Sequence, residues 1–251
     1  ECPVRRLNAS WGAVRLPKIG EVRFRWTRDV PKDIRNVTVQ RGARYWEVVF
    51  CCGVQLEEQA ASGLSVGLDR GVANAIALST GDIPRFPRNH IKELEAKSGA
   101  WQRVAARRKP QPSQRGWRRW RKALRRAAVL KDRAAACRKH WNHVETTRIA
   151  ESFGLVAIED LSVGGMTKSS KGTAEKTGKK VKQKSGLNRS ILETGWGQFE
   201  RLLEYKVAAL GGVVVRVNPK NTSRRCRKCG HTSKRNRESQ ALFRCVECGH
   251  E

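Results

Sequence analysis

Four cysteines near the C-terminus have the spacing of a metal site. Cys226 and Cys229 form one Cys-x-x-Cys pair, Cys245 and Cys248 form a second, and fifteen residues separate the pairs. Two such pairs supply four thiolates for one tetrahedral zinc ion, and each pair is followed by a glycine at which the backbone can turn tightly. Disulfides are the alternative, which an intracellular setting disfavours. We therefore predict a structural zinc ribbon over residues 218–251.

Two acids follow short apolar segments and could serve a different chemistry. Asp69 follows residues 64–68, and Glu159 follows residues 153–158. If both segments are strands ending at one sheet edge, their carboxylates can hold two magnesium ions about 4 Å apart for phosphodiester cleavage. An acid after a strand can equally be a turn former or a helix cap. The pattern also does not choose between Glu159 and Asp160.

The elements that must position these acids are short strands alternating with helices. Residues 64–78 predict a buried hairpin that turns at residues 69–71, and residues 153–161 predict a strand covered on both sides. Residues 213–217 predict a further buried strand. This alternation places the middle of the chain in the α/β class.

The N-terminal part has a different pattern. Residues 14–56 alternate apolar side chains with arginines and predict a small β-sheet with an Arg-rich face, including a hairpin across residues 41–44. That face either contacts phosphates or is an ordinary solvated surface. Cys51 and Cys52 have no partner at metal spacing and are interpreted as core residues.

Helical periodicity begins near Ile91. A helical hairpin is predicted over residues 90–152, broken at Pro110 and Pro112. Residues 164–189 are rich in Gly, Ser, Thr and Lys and predict a flexible basic loop, and residues 191–210 predict one helix. The apolar stripe expected to pack in the second helix of the hairpin comprises Trp117, Trp120, Leu124, Ala127, Leu130, Ala134, Cys137, Trp141 and Val144.

The charge indicates a polyanionic partner. The chain has 52 Lys and Arg against 23 Asp and Glu, a net charge of +29 over 251 residues. A membrane surface is disfavoured because neither an amphipathic anchor nor a lipidation motif is evident. No long apolar run or secretory signal occurs, so we expect a cytoplasmic protein. Because the chain opens at Glu1 without an initiator Met, we also expect a fragment.

Basic residues on several elements are candidates for nucleic-acid contact. The stretch between Lys97 and Lys139 contains a single acid, Asp132. Ordinary solvated faces mix both signs of charge, so this face favours phosphate binding. The predicted contact residues are Arg23, Arg25, Arg118, Arg119, Arg121, Arg125, Arg126, Lys179, Lys180, Arg224 and Arg225.

Several motifs together resemble a known family, the OrfB/TnpB proteins encoded by bacterial insertion sequences, which are ancestral relatives of the type V CRISPR effectors. The resemblance runs in order from about residue 14 to the last residue. It is carried by Val66-Gly-Leu-Asp-Arg-Gly71, Ala157-Ile-Glu-Asp-Leu161, Gly186-Leu-Asn-Arg-Ser-Ile191, Gly195-Trp-Gly-Gln-Phe199, Asn218-Pro-Lys-Asn-Thr-Ser223 and the Cys226–Cys248 ribbon.

The resemblance implies a fold and an activity. The fold is an RNase H-like (RuvC) nuclease domain over residues 61–217, preceded by part of a β-barrel-like wedge domain over residues 1–60. Asp69 and Glu159 would be the first and second catalytic acids and would bind magnesium. The partners would be a guide RNA and a target DNA, with base pairing reading the sequence while the protein holds the backbone.

The resemblance also raises alternatives. A third catalytic Asp is expected beyond residue 251, and the first part of the wedge and the recognition helices are expected before residue 14. We therefore expect the chain to bind zinc and nucleic acid but to cut poorly.

The alternatives are a nuclease-inactive guided repressor and a plain zinc-ribbon binder of nucleic acid. The presence of both Asp69 and Glu159 favours the enzyme.

Overall fold

A computed structural model of the chain describes residues 4–53, 60–111, 116–172, 177–237, 239 and 242–251. Pro112, residues 54–56 of the predicted N-terminal sheet and residues 173–176 of the predicted loop lie outside these ranges. The chain divides into two compact units. The first unit comprises residues 1–57 and 88–137, and the second comprises residues 58–87 and 138–251.

The first unit contains two antiparallel sheets where the sequence predicts one. Strands β1 (Val4–Arg6), β2 (Trp11–Leu16) and β3 (Gly20–Arg25) form a three-stranded sheet, and β4 (Ile34–Arg41) pairs with β5 (Trp46–Cys52) in a separate hairpin. The hairpin turns at residues 42–45, as predicted, with Gly42 N–H donating to the Tyr45 carbonyl.

An aromatic cluster joins these two sheets. The Phe24 ring of β3 lies 5.3 Å from the Phe50 ring of β5 and 5.8 Å from the Trp26 ring, measured between centroids. The interpretation of Cys51 and Cys52 as core residues is wrong, because Cys51 is exposed and Cys52 is only half-buried. Strand alternation turns Phe50 towards the cluster and therefore turns Cys51 away from it.

Two helices occur where the periodicity predicts them, α1 (Arg88–Arg107) and α2 (Trp117–Ser152). Within the first unit, Ser98 Oγ donates to the Ala127 carbonyl, and the Arg126 guanidinium lies 4.4 Å from the centre of the Trp101 ring. The predicted apolar stripe is only partly buried: Ala127, Ala134 and Trp141 are buried. Trp117, Leu124 and Val144 are exposed, contrary to the prediction.

The second unit is built on a four-stranded mixed sheet in the order β7-β6-β8-β9. Strands β6 (Ser65–Asp69), β8 (Leu155–Glu159) and β9 (Val213–Val217) are parallel, and β7 (Ala77–Leu78) pairs antiparallel with β6. The predicted hairpin therefore exists, but its second strand is short and its connection runs from residue 70 to residue 76, because Ala75 and Ile76 enter the core before pairing resumes.

The core of this unit lies on one face of the sheet. Val66 and Leu68 of β6, with Val156 and Ile158 of β8, pack in one cluster with buried side chains of two helices. Those helical residues are Trp141, Ile149, Phe199, Leu203 and Val207. The predictions that β8 is covered on both sides and that β9 is a buried strand are wrong. Leu155, Val213, Val215 and Val217 are exposed because alternate residues face away from the helices.

Helices also replace part of the predicted loop. The structure has α3 (Val163–Met166), α4 (Val181–Thr194) and α5 (Trp196–Ala209), so a helix covers residues 181–189. The single helix predicted over residues 191–210 is broken at Gly195, whose φ is +70°, a left-handed conformation that favours glycine. The Gly, Ser, Thr and Lys content of this segment predicted a loop. The structure has α4 there because Lys, Gln and Leu are good helix formers even beside Gly and Ser.

Core packing against the sheet leads to the first testable prediction. Leu203 of α5 is fully buried in the core cluster, so Leu203→Ala should lower the free energy of unfolding by about 2–5 kcal/mol. Leu192→Ala is the matched control, because Leu192 is 60% exposed, and its effect should stay within about 0.5 kcal/mol. Urea unfolding followed by far-UV circular dichroism measures both, and equal effects would contradict the core assignment.

None of the helices in the described part of the chain combines the length and apolar character needed to cross a bilayer.

Candidate metal centres

The two acids lie at neighbouring strand ends. Asp69 is the last residue of β6, and Glu159 is the last residue of β8. These strands are parallel and adjacent, with Leu68 paired to Ile158, so the two acids occupy corresponding positions at the carboxyl edge. Both line an open groove of about 350 Å³ together with Val217 of β9. Crevices at this edge of parallel sheets are common binding sites.

The structure distinguishes Glu159 from Asp160, a choice that the strand pattern left open and the family resemblance made in favour of Glu159. Glu159 lines the groove, and its Oε1 accepts a hydrogen bond of 3.0 Å from the Thr222 hydroxyl. Asp160 lies one residue past the strand and is not among the residues lining the groove, and its backbone N–H donates to the Val217 carbonyl. The geometry therefore places Glu159 beside Asp69.

The four cysteines converge as their spacing predicts. All four sulfurs lie within 4.8 Å of one another, and within the described ranges this is the single group of three or more His, Cys, Asp or Glu side chains that could share a metal ion. The Cys226 and Cys248 sulfurs are 3.6 Å apart, and those of Cys229 and Cys245 are 3.5 Å apart. The cluster is therefore a candidate metal centre.

The two cysteine turns have the same backbone geometry. Gly230 and Gly249 follow them with φ of +74° and +66°, and each glycine N–H donates to the carbonyl of the first cysteine of its pair at 2.9 Å. The amides of Cys226 and Cys245 donate to the carbonyls of the residues five positions later, both at 2.8 Å. Repetition of one tight turn points the sulfurs of both pairs to a common centre.

A buried asparagine holds the two halves of the cysteine cluster together. The Asn236 amide donates to the carbonyls of Arg224 and His231, and its oxygen accepts from the Val246 N–H. His231 and His250 are outside the cluster, and His250 Nε2 instead accepts a hydrogen bond from Arg227.

Hydrogen bonds prepare one thiol for metal binding. Burial of the Cys226 sulfur opposes its ionisation, but N–H groups of Cys229 and Lys228 and the adjoining thiols outweigh burial and lower the pKa of Cys226 to about 6. At Cys229 the His231 N–H favours the thiolate. Burial and the three other thiols outweigh it and raise the pKa of Cys229 to about 12. Metal binding must therefore displace protons from part of the cluster.

All eleven residues predicted to contact nucleic acid are exposed. On the first unit, the Arg25 guanidinium stacks 5.3 Å from the Trp11 ring centre, and Arg41 similarly stacks on Trp46 at 5.9 Å. At the β4–β5 turn, aromatic and arginine side chains line a cavity of about 580 Å³ with Arg121 of α2. Such interleaving of arginines and aromatic rings suits phosphates and stacked bases.

Comparison with known proteins identifies the family. The family model OrfB_IS605, described as "Probable transposase", matches residues 37–170, which is more than half of the chain. The chain belongs to the OrfB_IS605 family. A second model, the TNB domain of Cas12f1-like proteins, matches residues 196–251, which contain the cysteine cluster. The resemblance inferred from the sequence motifs is thus confirmed.

Curated relatives of this OrfB_IS605 chain carry related names. It is 37% identical over 245 residues to the "Putative RNA-guided DNA endonuclease InsQ" of Escherichia coli (strain K12). The matched residues cover 96% of the chain and 58% of that relative. It is 29% identical over 226 residues to a "Putative RNA-guided DNA endonuclease" of Streptomyces pristinaespiralis, covering 87% of the chain and 50% of that relative. The chain therefore spans 50–58% of the length of these relatives.

A solved structure shares the fold. A chain in the cryo-EM structure of the Cas12f1-sgRNA-target DNA complex matches with a TM-score of 0.52 at 17% identity, covering 85% of the present chain and 42% of that chain. At this identity the likeness concerns the fold alone. The predicted α/β class is confirmed.

Three residues around the acids were missed by sequence reasoning. Arg70, Thr222 and Glu200 contact the acid-bearing strand ends or each other. Thr222 lies within the Asn218-Pro-Lys-Asn-Thr-Ser223 motif, so the motif was available as a signal. Arg70 likewise lies within the Val66–Gly71 motif, whereas Glu200 lies in no such motif and looks like an ordinary surface charge in the sequence.

Proposed function

We propose that this OrfB_IS605 chain is part of a transposon-encoded, RNA-guided DNA endonuclease that cleaves phosphodiester bonds with the help of divalent metal ions. The observation that carries the proposal is the meeting of Asp69 and Glu159 at neighbouring ends of parallel strands on one groove. The family and the names of the relatives support a guided DNA endonuclease.

The donor set at the groove suits magnesium. Carboxylate oxygens are its preferred protein ligands, and it is commonly held by one or two carboxylates with waters and substrate phosphates completing the shell. Within the described residues no third His, Cys, Asp or Glu joins Asp69 and Glu159 in a common cluster. Magnesium bound there would supply an activated water and stabilise charge on the leaving oxygen.

The chain's own residues have distinct parts in this proposal. Asp69 and Glu159 would hold the ions, and the Thr222 hydroxyl restrains the Glu159 carboxylate by donating to Oε1. The net charge of +29 and the exposed arginines bind the phosphates of RNA and DNA. Acidic side chains are tolerated beside those phosphates where a cation neutralises them.

We assign zinc to the cysteine cluster. A tetrahedral site with metal–sulfur bonds of about 2.3 Å has sulfur–sulfur edges of about 3.8 Å. The Cys226–Cys248 and Cys229–Cys245 sulfur separations of 3.6 and 3.5 Å are close to that value, and four sulfurs leave no open position. The zinc would therefore be structural, holding together a segment with little core of its own.

The proposed domain assignment follows the family. Residues 61–217 form an RNase H-like (RuvC) nuclease domain with the helical hairpin of residues 90–152 inserted, and residues 218–251 form the zinc ribbon. Residues 1–60 form part of the wedge. The parallel order of β6, β8 and β9, with acids at the ends of β6 and β8, supports the nuclease assignment.

Reprogramming of a bound RNA tests the function. We expect the protein, expressed with its flanking DNA, to co-purify with an RNA of defined sequence. Replacing the variable end of that RNA should redirect both DNA binding and magnesium-dependent cleavage to the new complementary sequence, because base pairing selects the target. Gel-shift and plasmid-cleavage assays measure the two separately.

Two outcomes would contradict this function in different ways. Redirected binding without cleavage would support the nuclease-inactive repressor instead. A heterogeneous mixture of RNA fragments that never redirects binding would support an unguided zinc-ribbon binder.

A further inference from the structure

One arginine beside the groove has a buried side chain. Arg70 follows Asp69 directly, and its side chain is 1% exposed. Its Nη1 donates to Glu200 Oε2 on α5 at 2.6 Å, and its Nη2 donates to the main-chain carbonyl of Glu159 at 2.5 Å. One guanidinium thus bridges the ends of β6 and β8 and a helix.

Burying this charge is costly, so its retention calls for an explanation. Desolvation of a buried ion pair often exceeds the attraction between its members, and well-packed apolar residues of similar volume frequently replace such pairs without loss of stability. A contribution to folding stability therefore does not explain why a charged arginine is buried at position 70. A guanidinium differs from an apolar side chain in presenting several donors in a rigid planar fork, which can fix acceptors on two elements at a set separation.

The acceptor on α5 is itself shared. Glu200 Oε1 accepts from Arg216 Nε on β9 at 3.0 Å, and Arg216 also binds the Glu204 carboxylate. Glu200 is therefore held by two arginines, the buried Arg70 directly after β6 and the half-exposed Arg216 on β9. The carboxyl ends of β6, β8 and β9 are all tied to this network.

We propose that Arg70 is a positioning residue that sets the separation of the Asp69 and Glu159 carboxylates. It anchors the backbone immediately after Asp69 and the carbonyl of Glu159 itself, while Thr222 restrains the other end of the Glu159 side chain. The inference rests on the proposed function, because it assumes that these two acids bind a divalent ion together. Outer groups that orient metal ligands commonly change metal affinity by about 10–100-fold when they are removed.

Titration of Mn²⁺ followed by electron paramagnetic resonance tests this without depending on cleavage. The protein is first saturated with zinc so that the cysteines are occupied. The double variant Arg70→Met/Glu200→Met removes the bridge to Glu159 while replacing the buried ion pair by apolar side chains. We expect Mn²⁺ binding about tenfold weaker than in the wild type. We expect the same loss for Arg70→Lys, because a single ammonium does not reproduce the fork.

A matched control separates positioning from general stability. Arg148 in the same unit forms ion pairs with Asp82 and Glu145 and does not line the groove. Arg148→Gln should leave Mn²⁺ affinity unchanged. Thermal unfolding of every variant confirms that titrations are made on folded protein.

The outcomes distinguish this inference from the proposed function. Asp69→Asn and Glu159→Gln should each abolish Mn²⁺ binding at the groove, and if neither does, the metal site and the role of Arg70 both fail. If both abolish it but folded Arg70→Lys and the double Met variant bind Mn²⁺ like the wild type, the positioning role alone is overturned. Weakened binding in those two folded variants, with Arg148→Gln unchanged, supports it.

Discussion

In the protein expressed with its flanking DNA, replacing Asp69 by Asn should abolish the proposed magnesium-dependent cleavage, with a loss of at least about a thousandfold, while affinity for RNA and DNA changes little. The amide has nearly the shape of the carboxylate but lacks the charge that holds a hard divalent cation. Affinity for nucleic acid depends on the many Lys and Arg side chains of a +29 chain that contact phosphates. Asp69 makes no such contact, so its replacement should leave affinity nearly unchanged. Plasmid cleavage and gel-shift titration at one salt concentration measure the two effects.

The matched control for this prediction is the other acid that the sequence could not exclude. Asp160→Asn removes the same charge within the same sheet edge but outside the groove lining, so cleavage should persist. A parallel loss of cleavage and binding in Asp69→Asn would indicate damage to the fold or to nucleic-acid binding. Loss of cleavage in Asp160→Asn but not in the Glu159→Gln variant would show that the wrong acid of the pair has been assigned.

Replacing Cys226 and Cys229 by Ser should release the metal and unfold the ribbon. Both residues belong to the four-sulfur cluster, and serine does not substitute as a soft thiolate ligand. Structural zinc contributes about 10–16 kcal/mol in small zinc-dependent folds, far more than the few buried side chains of this segment. Elemental analysis should find about one zinc per wild-type chain and none in the variant.

Cys51 and Cys137 provide the control for the cysteine experiment. Neither belongs to the cluster, so Cys51→Ser and Cys137→Ser should retain the full zinc content. Limited proteolysis should cut the Cys226→Ser/Cys229→Ser variant within residues 218–251 and leave the controls intact. Unchanged zinc content in that variant would refute the site.

A short segment connects the ribbon to the groove, so loss of the ribbon should also affect the groove. Thr222 lies between β9 and Cys226 and donates to Glu159, so loss of the ribbon should also free the Glu159 carboxylate. The variant should therefore bind Mn²⁺ at the groove more weakly than the wild type. This coupling was not visible in the sequence, because Thr222 and Glu159 are 63 positions apart.

Helices and strands followed the sequence patterns where one element's own periodicity was decisive. The helical steps before and after residues 110–116 predicted α1 and α2, and the runs at residues 64–69 and 153–159 predicted β6 and β8. The patterns failed where packing decided. Val213, Val215 and Val217 have the composition of a buried strand, yet their face of β9 is exposed because the core cluster lies on the other side.

The sequence by itself determined the cysteine cluster and the two acid-bearing strands. Cys-x-x-Cys turns and apolar strand runs are local patterns, set by a few consecutive residues and by the coordination chemistry of sulfur. Only the tertiary structure brings Glu159, and not Asp160, into the groove that Asp69 lines. It also decided that Arg70 reaches 89 and 130 positions along the chain to hold that edge. Such contacts depend on how elements pack, and no local periodicity encodes the pairing of residues so far apart.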